Sequence, residues 1–284
     1  MLKPHYYCLI AGLPDLILNE THKGLNSIQF RNELAEQLTK SDFRLLKLLY
    51  LPADNKNLLN LLLKNKAEFD PAGNYPEEYL TGQISNPTDI VAYQKQFITE
   101  FNFSDPDKSA RQTENTLLEY FYSFILKTHS DFIKQWFQFD RKVRNLLAAV
   151  NCYRYGFDAG QQLIQEKNDD EFVRFLQKKA PTTDLFTDDQ LPFPGQIFQI
   201  VQSDREFSEK EKAIDSIRWN FLDEITVFNY FTIEKIMSYV LKLQIIDRWQ
   251  NLDHETGKIF LRKLIHDLEM SYSLDSEFRL STLK

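Results

Sequence analysis

A chain of 284 residues, 43% apolar and 26% charged, can bury a core of its own and suggests about two domains or lobes. Its 34 Lys+Arg against 41 Asp+Glu give a net charge of −7, which argues against a nucleic-acid protein held by a general basic field. With only 8 glycines and no GxGxxG or GxxxxGK[ST] pattern, the usual Gly-rich phosphate cradles are missing.

The first apolar run, YYCLIAGL, is far shorter than the ~20 residues of a bilayer span and lacks the charged leader of a signal peptide, so the sequence predicts a cytoplasmic protein. Cys8 and Cys152 form no CxxC pair and read as two small, buried free thiols in a reducing compartment.

Apolar spacing along the chain is mostly helical. Ser27 is the expected N-cap of SIQFRNELAEQL, and Ser41 that of SDFRLLKLLYL, which Pro52 is expected to stop. KNLLNLLLKN is a short, leucine-rich helical turn before the loop FDPAGNYPEEY, where Pro71, Gly73, Asn74 and Pro76 mark a first lobe boundary. After the break FSDPDKS, the stretches TENTLLEYFYSFILKTH and DFIKQWFQFDRKVRNLLAAVNCYRYG read as two long helices. A turn near Ser130 and Asp131 would make them an antiparallel pair.

Asp169, Asp170 and Glu171 precede FVRFLQKK, and Lys178 and Lys179 close it, an arrangement that suits the helix dipole and marks these carboxylates as structural. APTTDLFTDDQLPFPG is a second boundary, and GQIFQIVQ fits a short strand as well as a buried helix turn. SEKEKAIDSIRWNFLDEITVFN and TIEKIMSYVLKLQIIDRWQNL are helical, with Ser208 and Thr232 as expected caps. HETGKIFLRKLIHDLEM follows them, and the tail SYSLDSEFRLSTLK reads as poorly ordered.

No catalytic signature emerges. None of His5, His22, His129, His254 and His266 has a carboxylate three residues before it, and HExxH and GxSxG are absent. The sequence therefore predicts no catalytic, cofactor-binding or metal-ligating residues. The most telling stretch is Phe139 to Asp158. On a helical wheel Phe139, Val143, Leu146, Leu147, Val150, Tyr153 and Phe157 share one stripe, whereas Arg141, Arg144, Asn145 and Ala148 fall on the far side. Arg154 lies beside the stripe, placed to snorkel along the helix or to meet a neighbour's carboxylate. Residues 131–156 carry five bases and two acids, and residues 158–190 carry eight acids and four bases. Internal pairing and a partner-facing role therefore both account for the basic helix. Arg141, Arg144, Asn145 and Arg154 are the candidate partner or inter-lobe contacts.

The same stretch, through Asn145, Leu146, Arg154 and Gly156, resembles the C subunit of V/A-type ATPases, called subunit d in eukaryotic enzymes. FTIEKIMSYVLKLQIIDRWQNL, through Tyr239, Leu241, Asn251 and Leu252, is similar to a helix of that family, as are the leucine blocks of LAEQLTKSDFRLLKLLYLPADNKNLLNLL. The opening YYCLIAGLPDL also resembles a bacterial family of uncharacterised proteins encoded among V-type ATPase subunits. The chain is shorter than the usual C subunit, and its tail after Met270 has no counterpart there.

Periodicity and the two boundaries predict an all-α, multi-lobed helical bundle with lobes at 1–73, 74–180 and 181–284 and at most a short strand element, and the resemblance implies that these are three related lobes. It implies a non-catalytic central-stalk socket that couples the rotor shaft to the membrane ring. The expected partners are the V-type shaft subunits and the rotor ring, with no nucleic acid, no small-molecule substrate, no cofactor and no membrane span of its own. The expected place is the cytoplasm, peripheral to the membrane through the complex. The alternative readings are a free-standing helical adaptor and, behind it, a helical enzyme without a motif.

Overall fold

A computed structural model describes residues 4–18, 26–101, 110–165, 171–178 and 193–251. The described elements are all helical: α1 (Tyr7–Ala11), α2 (Ser27–Gln37), α3 (Lys40–Lys47), a 3-10 turn (Leu48–Tyr50) leading into α4 (Leu51–Leu62), α5 (Glu77–Ser85), α6 (Ala92–Glu100) and α7 (Ala110–Ile125). Then come α8 (Asp131–Tyr155), α9 (Ala159–Gln162), α10 (Glu171–Lys178), α11 (Phe193–Gln202), α12 (Phe207–Ile225) and α13 (Ile233–Asn251). The fold is all-α as expected, and GQIFQIVQ is helical, forming most of α11 with Ile197 fully buried. Among the described residues no helix is long and apolar enough to cross a membrane. The segments HETGKIFLRKLIHDLEM and SYSLDSEFRLSTLK, the whole break FSDPDKS, Asp169, Asp170 and Lys179, and residues 180–192 of the second boundary lie outside the described residues.

Several helix starts fall earlier than the serines suggest. Asn26, not Ser27, caps α2: its Oδ1 accepts from the amides of Ile28 and Gln29, at 3.1 and 2.9 Å. Thr39, not Ser41, caps α3 by accepting from the Asp42 amide at 3.2 Å. Glu206 holds the cap position of α12 without a side-chain bond, so Ser208 sits inside the helix. Pro52 does not stop a helix but opens one. It stands in the first turn of α4, where its missing N–H has no intrahelical partner to lose.

The turn expected at Ser130 is present. Its hydroxyl caps α8 by accepting from the Ile133 amide at 3.4 Å. From there α8 runs back along α7: Phe121 meets Phe137 edge-on at 5.0 Å, Tyr122 reaches Asp140 at 3.1 Å, and Arg111 and Leu118 line one groove with Asn151 and Ala148. Contacts that advance along one helix while receding along the other define an antiparallel pair. Gly156 ends α8 with φ at 73°, a left-handed conformation that costs glycine nothing, and the Phe157 amide returns to the Cys152 carbonyl at 2.9 Å.

α8 is the axis of the fold, with α7, α9, α10, α11 and α12 all packed on it. Phe139 stacks on Phe221 of α12 at 3.9 Å and meets Phe193 of α11 edge-on at 5.0 Å, so one ring joins three helices. α13 joins α12 to the amino-terminal helices by packing on α2. The Asp247 carboxylate accepts from the Ser27 amide at 2.7 Å, satisfying a donor at the start of α2 that lacks an intrahelical partner. One continuous apolar core runs from Phe30 to Leu243 and draws on all three expected lobes. Both cysteines are free thiols, Cys152 buried as expected and Cys8 exposed on α1, a helix with no buried residue.

The loop after α4 is clamped rather than loose. Asp54, fully buried, accepts from the Asn74 amide and the Asn74 side chain, both at 2.6 Å, and from the Tyr75 amide at 3.2 Å. Asn57 pairs with both backbone groups of Asp70, at 2.9 and 2.8 Å, while Arg31 lies over the Tyr50 ring and donates to the carbonyls of Ala72 and Gly73. A Cβ at Gly73 would stand 2.7 Å from the Asp54 Oδ1 and 3.2 Å from the Asn57 Nδ2. Both atoms are already committed to the loop, so Gly73→Ala is expected to cost about 2 kcal/mol in urea denaturation.

Burial pushes the Asp54 carboxyl up from 3.8 to about 6, although the loop's N–H donors and Arg31 pull the other way. The folded chain thus holds a proton that the unfolded chain releases between 3.8 and about 6, and this group's contribution to stability declines as pH rises through that window. Compared with Asp54→Asn, the wild type is expected to lose about 2 kcal/mol between about pH 4.5 and about pH 7. Paired urea titrations of the two proteins at those values read the difference directly.

Candidate interaction surface

The four sequence candidates on α8 separate into different environments. Arg144 donates through Nε to Asp140 at 2.9 Å, one turn earlier, and keeps 45% of its side-chain surface open. Asp140 is a junction: it also accepts from the Tyr122 hydroxyl of α7 and faces Arg218 of α12 at 3.8 Å. Burial works against its charge, yet the guanidiniums of Arg144 and Arg218 and the hydrogen bonds from Arg144 and Tyr122 hold its carboxyl below the usual aspartate value.

Arg218 continues the chain of charges to Asp215, at 3.0 Å. Asp215, 1% exposed, accepts in turn from Arg248 and from the Trp249 indole N–H at 2.7 Å. A single polar spine therefore crosses α7, α8, α12 and α13. Its Arg144–Asp140 and Arg218–Asp215 pairs are local, but no local sequence pattern signals the links between helices, which join residues 18 or more apart.

Arg141 and Asn145 are buried, against the wheel, which put them on the open side. The reason is the central place of α8, whose far side is covered as well. Asn145 replaces a missing strand partner for the chain after α9, donating to the Ile164 carbonyl at 2.8 Å and accepting from its amide at 2.9 Å. Arg154 reaches beyond its own helix and, among the described residues, meets a carbonyl and no carboxylate. It lies 3.5 Å from the Val201 carbonyl in the last turn of α11, which also accepts from Lys210 at 3.0 Å, so two cations sit at the negative end of that helix. Tyr153 and Phe157, placed on the apolar stripe, are exposed, and the Tyr153 hydroxyl donates to the last carbonyls of α10.

Among the described residues, exposed apolar side chains cluster elsewhere, at the turn between α12 and α13. Val227, Phe228, Tyr230 and Phe231 project there, Phe228 at 86% and Tyr230 at 66% exposure. The base of the turn is fixed: the Thr226 hydroxyl donates to the Leu222 carbonyl at 2.6 Å, and the Asn229 amide to the Thr226 carbonyl at 2.9 Å. The amino terminus completes the surface. The Tyr6 amide donates to the Phe231 carbonyl at 2.8 Å, and the Tyr7 ring lies 4.6 Å from the Phe231 ring and stacks on His5 at 5.3 Å. Tyr6 is itself anchored on α3 through a hydrogen bond from its hydroxyl to Asp42; burial first, and then that bond, pushes its phenol up, so it remains a donor. Exposed aromatics of this density, held on an ordered turn, make this the candidate contact face. VFNYF carried the signal in the sequence, as an apolar run at a helix break where turns are ordinarily polar.

Residues 3–272 match a protein family described as a protein of unknown function, DUF2764. The chain belongs to that family. No curated protein and no solved structure matches it. In this DUF2764 chain, among the described residues, no three His, Cys, Asp or Glu side chains gather as a metal ion would require. The described surface offers exposed rings on the α12/α13 turn, and the polar spine ties α12 and α13 to α8.

Proposed function

We propose that this chain is a non-catalytic subunit of a V-type ATPase, acting at the central stalk as a helical coupling piece between the rotor shaft and the membrane ring. One juxtaposition carries the reading. The opening YYCLIAGLPDL, which resembles a bacterial family encoded among V-type ATPase subunits, and the segment beginning FTIEKIMSYV, which resembles a helix of the C subunit, meet at the Tyr6–Phe231 hydrogen bond and frame the exposed aromatic turn. A coupling piece must hold its neighbours through broad, rigid contacts, and aromatic anchors on a pinned turn supply them at low entropic cost. On this reading the chain lies on the cytoplasmic side, peripheral to the membrane through the complex.

The test is purification of the tagged chain from its native cell in mild detergent. V-type catalytic, shaft and ring subunits are expected in constant ratio. Their absence from a preparation in which the rotary complex is otherwise intact would refute the assignment.

A further inference from the structure

We propose that the groove between α7 and α8 receives an acidic side chain, carried on an apolar-flanked segment of a partner protein. This rests on the contact role proposed above and adds the chemistry of one contact, at a place separate from the aromatic turn. The groove encloses about 230 Å³ and is walled by Arg111 of α7 and Arg144 of α8, with the amides of Asn151 and Gln162 beside them and Leu118 and Leu147 in its lining. The carboxylates nearest to it, Glu114 and Asp140, hold the two guanidiniums from beside the groove and are not among its lining residues.

The two arginines are held ready. Arg111 is fixed by Glu114 at 3.0 Å and Arg144 by Asp140 at 2.9 Å, each a partner on its own helix, and each arginine keeps 45% of its side-chain surface open. A guanidinium has five N–H donors in a fixed fork, so one bond to a neighbour positions the group and leaves donors for an incoming carboxylate. Size selects the kind of ligand. The volume falls below the roughly 300 Å³ at which pockets enclose a free small molecule, and suits one side chain with its stem on Leu118 and Leu147.

The probe is the peptide acetyl-Leu-Glu-Leu-amide, titrated at low salt into the full chain labelled with nitrogen-15 on arginine, with acetyl-Leu-Gln-Leu-amide as the uncharged control. The Nε–H signals of Arg111 and Arg144 are expected to shift saturably with the glutamate peptide. The glutamine peptide is expected to bind about tenfold more weakly, the worth of one charge-assisted hydrogen bond. Arg111→Gln should weaken the glutamate peptide by a similar factor, and because Arg111 is half-exposed and, among the described residues, ion-paired with Glu114 of its own helix, that variant keeps the fold even if Arg144→Gln does not. Equal binding of the two peptides, an undiminished response in Arg111→Gln, or no shift up to the solubility limit would overturn the proposal. Loss of peptide binding alongside intact recovery of V-type subunits removes the groove and leaves the subunit reading standing; the reverse result removes the subunit reading and leaves the groove.

Discussion

Replacing Phe228 and Tyr230 together with serine is expected to abolish recovery of V-type subunits while leaving the melting temperature within about 2 °C of wild type. Both rings stand mostly in solvent, so their removal empties no core position, and exposed substitutions of this kind stay within about 0.5 kcal/mol. Their cost falls on binding. Buried at an interface, each ring would act as an anchor worth about 2 kcal/mol or more, so the pair lowers affinity by at least two orders of magnitude. The turn itself survives, because Thr226 and the Asn229 amide hold it from below. Quantitative mass spectrometry of the purified complex, beside a melting curve of the free protein, separates the two effects. A double variant that recovers the complex at wild-type level shows that the aromatic turn is not the contact face.

The second large effect is structural. Asp215→Ala is expected to destabilise the protein by about 3 kcal/mol and to lower its melting temperature by on the order of 10 °C. The carboxylate is almost fully buried and is the shared acceptor for Arg218, Arg248 and the Trp249 indole. Removing it leaves Arg218, only 14% exposed, facing Asp140 alone and strands the indole N–H. Arg248 is 44% exposed and recovers water, which keeps the loss near the lower end of the range for a broken buried pair. Asp215→Asn, which retains an acceptor oxygen, should lie between the two.

The same spine shows what the sequence could and could not reveal. The helical class, the Ser130 turn and the Gly156 stop follow from local rules of periodicity, capping and left-handed backbone, and those rules held because nothing tertiary opposes them there. The caps of α2 and α3 shifted by one or two residues, since Asn26 and Thr39 were equally good cap residues slightly upstream. Arg141 and Asn145 went astray for a physical reason. A wheel assumes one buried stripe, whereas α8 is surrounded by five other helices, so a polar side chain on its far side meets protein rather than water.

Of the candidate contacts, Arg144 alone keeps an open guanidinium face in a groove, while Asn145 and Arg154 serve the backbone of neighbouring segments. Val227 to Asn229 of the aromatic turn lay at the end of a stretch read as helix, and Tyr230 and Phe231 fell in the break before the expected cap Thr232. Its partners in the surface, Tyr6 and Tyr7, stand at the opposite end of the chain, and no local pattern connects the two.

The central claim, that this protein works by gripping V-type neighbours through the surface built from Tyr7 and the α12/α13 turn, is tested most directly by hydrogen exchange on the free chain and on the chain within the purified rotary complex. The account predicts slower exchange in the complex at the amides of residues 227–232 and of Tyr7, with no comparable change along the side of α8 facing α11 and α12. Unchanged exchange across that turn in a complex that contains the chain would contradict it.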